Sequence, residues 1–226
     1  MSNAIHPTAI IGDDVHLGNN NIIHPYSIIQ GPVELGNNNV IGPYVYIGCP
    51  ATDTKKSEFN FPNTKIKIGD NNIIREYSLI EQPCYEELTI IENNVFIMQG
   101  VHISHDVHIY SYSVLTNTSV LAGIAKVLEG ANIAMACTIN QYTVIGQYSI
   151  VGTNSACMKN VKPFSRYVPN KPLSVNYYAL KKYNLEDFTT EIENYVLHNV
   201  YPSSEKIVKM VSEFDGWVKK YGHSTY

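Results

Sequence analysis

Residues 91–151 read IENNVFIMQGVHISHDVHIYSYSVLTNTSVLAGIAKVLEGANIAMACTINQYTVIGQYSIV, and every sixth residue of this stretch is aliphatic. A helix repeats its apolar face about every 3.6 residues and a strand about every 2, so neither element alone gives an unbroken period of six. The period is that of a hexapeptide repeat, in which each hexad forms one short strand and one turn of a parallel β-helix. The aliphatic positions are Ile91, Ile97, Ile103, Ile109, Leu115, Leu121, Val127, Ile133, Ile139, Ile145 and Val151.

The same period continues on the N-terminal side of this stretch. It runs from Ile5 to Ile47 and resumes at Ile68, and its two interruptions predict excursion loops at 48–67 and 81–90. Long loops in a compact repeat are commonly functional. We therefore expect residues 1–160 to form one β-helix of about seven coils that carries two excursion loops.

Residues 161–226 lose the period of six and predict a connector followed by C-terminal helices. Apolar residues at helical spacing indicate a short helix around 176–183 and a second helix with Asn184 as its N-cap. A third helix is expected to begin at Ser203 or Ser204 and to continue to Tyr221. The predicted fold class is thus all-β, with a small α-helical tail.

Composition limits the classes of function. The net charge is −4 and charged residues make up 16% of the chain, which argues against a general nucleic-acid surface. The four cysteines show no metal-ligand spacing, so no metal site is predicted. No stretch resembles a signal peptide or a membrane span, and we expect a cytoplasmic protein with no membrane insertion.

One corner of the predicted coil carries residues suited to acyl transfer. Three hexads close one coil, so residues 18 apart should stack about 4.8 Å from each other. His105, Gly123 and Gln141 meet this condition. An imidazole with a pKa near neutrality can take a proton from the acceptor, and a backbone N–H can stabilise a tetrahedral oxyanion.

Several motifs in the same order resemble the UDP-N-acetylglucosamine O-acyltransferase family, which begins lipid A synthesis. They are Asp-x-Lys at Asp53 and Lys55, IGDNNIIRE at 68–76, VHISHD at 101–106, LAG at 121–123, and Gln141. The resemblance implies a left-handed coil and a homotrimer with active sites between neighbouring subunits. It also implies acyl-CoA or acyl carrier protein as donor, a nucleotide-sugar acceptor, no permanently bound cofactor, and a place in lipopolysaccharide biosynthesis.

The resemblance also assigns roles to individual residues. It implies that His105 is the general base, Asp106 orients it, and Gly123 donates its N–H to the oxyanion. His102 and Gln141 would line the acceptor site, and Asp53 and Lys55 would contact the sugar and phosphates. The remaining candidates for substrate binding are Asn140, Thr153 and Arg75; Arg75 could instead form an ion pair with Glu76.

Departures from the family pattern bear on the substrate. Ile124 and Asn140 stand where family members carry histidines, Tyr178 replaces an acidic nucleotide contact near Lys182, and Thr153 replaces a glycine that leaves space for a long acyl chain. These differences favour transfer of a short acyl group from coenzyme A to the amino group of a nucleotide-linked sugar. The alternative is O-acylation of UDP-N-acetylglucosamine by a 3-hydroxyacyl carrier protein.

Two further interpretations compete with acyl transfer. A zinc hydrase is suggested by His102, His105 and His108, but His102 and His108 are six residues apart and should point from different faces, which disfavours one tetrahedral site. A non-enzymatic binding trimer is the other. An unchanged rate of acyl transfer after His105→Ala would remove the catalytic hypothesis.

Overall fold

The structure is a computed structural model that describes residues 2–55 and 63–226. Residues 56–62, which belong to the predicted loop 48–67, lie outside the described residues.

Short strands follow one another along most of the chain, as a period of six requires. In chain order they are β1 Ala4–Ile5, β2 Ile10–Ile11, β3 Val15–Leu17, β4 Ile22–Ile23, β5 Ile28–Ile29, β6 Val33–Leu35, β7 Val40–Ile41, β8 Tyr46–Cys49, β9 Lys65–Ile68, β10 Ile73–Ile74, β11 Leu79–Glu81, β12 Leu88–Ile91, β13 Phe96–Ile97, β14 His102–Ile103, β15 His108–Ile109, β16 Val114–Leu115, β17 Val120–Leu121, β18 Lys126–Val127, β19 Asn132–Ile133, β20 Thr138–Ile139, β21 Val144–Ile145, β22 Ile150–Val151, β23 Ala156–Cys157, β24 Ser165–Tyr167 and β25 Ser174–Val175.

Successive strands belong to three different sheets, so the chain winds around a triangular prism. Face A has the order β1-β4-β7-β10-β13-β16-β19-β22-β24-β25, face B has β2-β5-β8-β11-β14-β17-β20-β23, and face C has β3-β6-β9-β12-β15-β18-β21. The pairing within the coils is parallel, and among the strands of the described residues only β24 and β25 pair antiparallel. This confirms the predicted left-handed parallel β-helix with a small helical tail.

The aliphatic residues at every sixth position form one continuous core inside the prism. Ile103, Leu121 and Ile139 stack in register on face B, and each is at most 1% exposed. Burial of an aliphatic side chain stabilises the fold by about 1.5–3 kcal/mol, and the repeat sums this contribution over many coils. The core is therefore continuous from coil to coil.

A ladder of buried asparagines seals one corner of the coil. The Oδ1 of Asn39 accepts the N–H of Asn72, and its Nδ2 donates to the carbonyl of Gly69. Asn21 makes the equivalent contacts one coil earlier, to the N–H of Asn39 and the carbonyl of Gly36. Each amide thereby satisfies backbone groups that the turn leaves unpaired.

Both excursion loops leave the coil at the same corner, between faces B and C. The first connects β8 to β9 and the second connects β11 to β12. Strands extend further into both segments than the period of six indicates, because Tyr46–Cys49, Lys65–Ile68 and Leu88–Ile91 each have four residues. These longer strands pair with one another where the loops depart, as in β9 with β12.

The last coil extends beyond residue 160. β24 pairs with β22 in the register Val151↔Tyr167, and Val161 forms a bridge to Ile145. This register makes the last coil shorter than three full hexads, so a strict period of six does not detect it.

The C-terminal region contains α1 Tyr177–Lys182, a 3₁₀ turn Glu186–Phe188, α2 Thr189–His198 and α3 Glu205–Tyr221. Asn184 was expected to cap the second helix, and this is wrong: Asn184 has φ 53° and lies just after α1. Asparagine tolerates the left-handed conformation that ends a helix. Ser204 precedes α3 as predicted. Among the residues that the structure describes, no helix is both long and apolar enough to cross a membrane.

The asparagine ladder gives a test of the fold. Asn39→Ala leaves the N–H of Asn72 and the carbonyl of Gly69 buried without a partner, and we expect it to lower the free energy of unfolding by about 2–4 kcal/mol. Asn117→Ala is the control, since this half-buried turn asparagine makes no side-chain hydrogen bond to the described residues. Urea unfolding of both variants measures the difference, and equal midpoints would contradict the role of the ladder.

Candidate active site

His105 lies at the corner between faces B and C, directly after β14. Its Nδ1 donates a hydrogen bond to Oδ2 of Asp106 at 2.7 Å, and the residue is 9% exposed. Because a carboxylate accepts this bond, the proton resides on Nδ1 and the lone pair of Nε2 is free. His105 is thereby held in the tautomer that a general base requires.

Asp106 is held by the second excursion loop. Its carboxylate accepts backbone N–H groups from Cys84, Tyr85 and Glu86 at 3.1, 3.1 and 2.9 Å, in addition to the bond from His105. The N–H of Asp106 itself donates to Oγ1 of Thr89. Its φ of 62° is one that aspartate tolerates better than most residues. The loop thus converges on the carboxylate that orients His105.

Gly123 lies one coil above His105, as the spacing of 18 predicts. A Cβ at this position would come within 2.3 Å of Cε1 and 2.5 Å of Nε2 of His105, so only glycine fits against the ring. The next residue, Ile124, donates its N–H to the carbonyl of His105. Within the described residues the N–H of Gly123 donates to no acceptor. The imidazole ring therefore packs against Gly123, whose backbone N–H has no acceptor among the described residues.

Gln141 and Asn140 lie on the following coil at the same corner. Tyr142, the residue after Gln141, donates its N–H to the carbonyl of Gly123 at 3.2 Å, which continues the stack. The Gln141 side chain is exposed and that of Asn140 is half-buried. Both are available to a ligand bound along this edge.

Glu81 is a central residue of the site that the sequence analysis missed. Its fully buried carboxylate accepts hydrogen bonds from Nε2 of His102 at 2.8 Å, from the N–H of His105 at 3.0 Å, and from Oγ1 of Thr52 at 2.6 Å. It therefore joins the first loop to the histidine motif. A search at intervals of 18 overlooks it, because the second loop lengthens this coil, as the register Ile80↔Ile103 shows.

The first loop adds a third carboxylate next to His105, after those of Asp106 and Glu81. Asp53 accepts a hydrogen bond from the hydroxyl of Tyr85, and its charge acts on His105. The N–H of Lys55 donates to Oδ1 of Asp53 at 2.8 Å, while the Lys55 side chain is exposed. Tyr85, another residue that sequence reasoning missed, lies with its ring centroid 5.7 Å from that of His105. The two loops thus meet over the imidazole.

Electrostatics favour protonation of His105. Burial lowers the pKa of His105, but the hydrogen bond and charge of Asp106, together with the charges of Glu81 and Asp53, outweigh this effect and raise it. Burial likewise raises the pKa of Glu81, but the bonds from His102 and Thr52 hold it below the usual value for glutamate. The site is therefore rich in carboxylates, and the His105 imidazole is neutral only at a pH above its raised pKa.

The remaining histidine and cysteine candidates do not assemble a zinc site. His108 points from face C, where Nε2 lies 2.8 Å from Glu92 and the ring stacks on Tyr110. In the described part of the chain, the metal-ligand geometry occurs at Cys84, His105 and Asp106. The Asp106 oxygens there already accept backbone and imidazole N–H groups, so hydrogen bonds account for this cluster.

Two predicted binding residues lie away from His105. Arg75 follows β10 at the corner between faces A and B and forms an ion pair with Glu76, with Nε and Oε2 2.7 Å apart. Thr153 follows β22 and lines a pocket of about 320 Å³ on face A. Tyr178 and Lys182 of α1 line the same pocket, together with Arg166. Within one chain this pocket and His105 lie on different sides of the prism.

Comparisons with known proteins agree with this architecture. A family model described as "Bacterial transferase hexapeptide (six repeats)" matches residues 14–49. The chain resembles a UDP-N-acetylglucosamine acyltransferase structure from Bacteroides fragilis at 23% identity, with a TM-score of 0.80 and coverage of 99% of this chain and 98% of that one.

Similar structures come from two other organisms. A UDP-N-acetylglucosamine acyltransferase from Campylobacter jejuni has 23% identity, a TM-score of 0.77, and 93% coverage of both chains. One from Francisella novicida has 25% identity and a TM-score of 0.66, with coverage of 97% of this chain and 87% of that one. Comparison with curated protein sequences gives no significant match. At these identities the likeness establishes the fold.

The packing of His105 against Gly123 predicts the effect of one methyl group. Gly123→Ala should displace the imidazole ring, because the added Cβ would overlap Cε1 and Nε2. We expect an altered His105 ring resonance in NMR spectra with little change in far-UV circular dichroism. Gly216→Ala is the control, since a Cβ there has no neighbour within 4 Å. An unmoved His105 resonance in Gly123→Ala would contradict the packing.

Proposed function

We propose that this chain is an acyltransferase that moves an acyl group from a thioester to a nucleotide-linked sugar, with His105 as general base. The observation that supports this most directly is the hydrogen-bonded His105–Asp106 pair, whose imidazole ring packs against Gly123 one coil above. It occurs in a fold shared with acyltransferases of known structure.

The site has a group for each proton transfer and each developing charge of such a reaction. Nε2 of His105 takes the proton of the acceptor as the acceptor attacks the thioester carbonyl. The oxygen of the tetrahedral intermediate receives the N–H of Gly123. Collapse of the intermediate breaks the carbon–sulfur bond, and His105 returns the proton to the thiolate. Asp106 stabilises the imidazolium between the two steps.

The substrate site is completed by a second copy of the chain. The pocket beneath α1 offers Arg166 and Lys182, two cations suited to a nucleotide diphosphate, but it lies on face A and not at the corner of His105. Three copies related by a closed threefold axis would place the face A pocket of one copy beside His105 of the next. We therefore propose a cytoplasmic homotrimer.

The exposed apolar side chains support a trimer, because other copies of the chain would bury them. Faces A and B and the corner between them expose large apolar side chains, whereas α3 packs against β21 on face C. Monomeric proteins rarely expose a continuous apolar patch of this kind. The exposed side chains include Ile10, Ile22, Ile73 and the stacked rings of Tyr26, Tyr44 and Tyr77.

The comparisons favour a hydroxyl acceptor over the amine that the sequence analysis preferred. The matched structures are named UDP-N-acetylglucosamine acyltransferases, and they cover nearly the whole chain. O-acylation of UDP-N-acetylglucosamine is therefore our first candidate, with acyl carrier protein or acyl-CoA as the donor substrate.

A second candidate, an amino-sugar acceptor, is favoured by the charges of the site. Asp53, Glu81 and Asp106 all lie close enough to act on His105. Carboxylates attract an ammonium group, which the imidazole must deprotonate before attack. Thr153, at the edge of the face A pocket, narrows the space for an acyl chain and favours a short one.

A panel of substrates tests the function and separates the candidates. The protein is incubated with acyl-CoAs and acyl carrier proteins, each with UDP-N-acetylglucosamine and with nucleotide-linked amino sugars, and product masses are read. His105→Ala should lower kcat by about 10²–10⁴-fold, since the general base is lost. His16→Ala, an exposed histidine of β3 on face C, is the control. Retained activity in His105→Ala would contradict the mechanism.

Thr153 gives a separate prediction about the donor. Thr153→Gly removes the side chain that borders the pocket, so the ratio of rates for long over short acyl donors should rise. Asn154→Gly, the adjacent turn residue with φ 57°, adds the same backbone freedom without opening the pocket. An unchanged ratio in Thr153→Gly would exclude Thr153 as a determinant of acyl length.

A further inference from the structure

We infer that Lys126 is a positioning residue that holds the His105–Asp106 pair from face C, where the C-terminal helix α3 covers it. The inference rests on the proposed function, since its catalytic readout is acyl transfer.

Lys126 contacts Asp106 through the backbone. Its side chain leaves β18 on face C, the residue is 1% exposed, and Nζ donates to the carbonyl of Asp106 at 2.9 Å. That carbonyl has no other donor among the residues the structure describes. Asp106 has left-handed backbone geometry, so a charged donor on its carbonyl fixes the peptide that carries the catalytic carboxylate.

Glu86 connects Lys126 to the same carboxylate by a second route. Nζ of Lys126 lies 3.0 Å from Oε2 of Glu86, and the N–H of Glu86 donates to Oδ1 of Asp106 at 2.9 Å. Lys126 therefore contacts Asp106 directly and also holds the loop whose N–H groups bind it. Removing the ammonium group loosens both attachments.

Helix α3 closes this arrangement. Lys220 lies 3.2 Å from Oε1 of Glu86, and the hydroxyl of Tyr221 donates to the same oxygen at 3.1 Å. The ammonium group of Lys126 also lies 5.3 Å from the ring centroid of Trp217 and 5.8 Å from that of Tyr221. Aromatic faces stabilise a desolvated cation. The last turns of α3 thus shield the buried ammonium group of Lys126, which lies directly behind the His105–Asp106 pair.

An effect of Lys126 through its charge and an effect through positioning predict opposite changes in the pKa of His105. If Lys126 acted only through its charge, its removal would raise the pKa of His105, because a nearby cation disfavours imidazolium. If Lys126 positions Asp106, its removal weakens the bond that raises this pKa, and the pKa falls. The other ionisable groups facing His105 are Glu81, Asp53, Tyr85 and Cys84, and those facing Lys126 are Glu86, Lys220 and Tyr221. None of these is altered in the test.

The experiment compares Lys126→Met with Lys126→Arg in the full-length protein. The ascending limb of kcat against pH reports the base, which must be neutral, and NMR titration of the His105 ring reports its pKa without substrate. For Lys126→Met we expect kcat to fall on the order of tenfold with KM little changed, and the His105 pKa to fall. Lys126→Arg should restore much of both, since it keeps the cation. Lys159→Met, a lysine over the ring of Tyr226, is the control.

A folded Lys126→Met variant with unchanged kcat, or with an unchanged or raised His105 pKa, would overturn the inference. If thermal unfolding shows that Lys126→Met does not fold, Lys126→Gln, which also removes the ammonium group, replaces it, and the same two results decide. The NMR titration separates this inference from the proposed function: a wild-type chain inactive on every acceptor would refute acyl transfer, while the titration would still test positioning.

Discussion

The parallel stacking of one coil on the next is the constraint on which the site depends. The N–H of Ile124 binds the carbonyl of His105, and the N–H of Tyr142 binds that of Gly123, so three turns of the chain superimpose at one corner. Side-chain chemistry follows from this backbone register. Gly123 must lack a side chain because the imidazole occupies the place of its Cβ. A repeat that buries aliphatic residues thereby also stacks His105 against Gly123, the two residues to which the proposed mechanism gives the roles of base and oxyanion donor.

The two excursion loops supply most of the polar groups that surround His105 at this corner. Both excursion loops leave the coil between faces B and C, on the two coils that precede His105. The first supplies Asp53 and Thr52, the second supplies the N–H groups that bind Asp106, and Glu81 joins them to the histidine motif. Burial lowers the pKa of His105, but the carboxylates of Asp106, Glu81 and Asp53 outweigh this effect and raise it. Activity should therefore rise with pH as the imidazole loses its proton, since the free base is the reactive form.

The sequence predicted what depends on regular spacing. The period of six identifies the coil, and the interval of 18 places His105 below Gly123. Residues whose positions do not follow from the regular spacing were not predicted. Glu81 lies on a coil that the second loop lengthens, and Lys126 becomes significant only when α3 covers it, which no periodicity encodes. The end of the coil was missed for the same reason, since its final turn is shorter than three hexads. The predicted acceptor depended on single substitutions such as Thr153, which regular spacing does not relate to a substrate.

Under the proposed mechanism two copies of the chain share each active site, because His105 and the pocket beneath α1 lie on different sides of one chain. The most direct test co-expresses His105→Ala with a second variant, Lys182→Glu, which reverses a charge in that pocket. Each variant alone should be inactive. If equal amounts assemble at random, about a quarter of all interfaces combine an intact His105 with an intact pocket, so activity should return to roughly that fraction of wild type. Mixed assemblies as inactive as either parent would contradict a site shared between subunits.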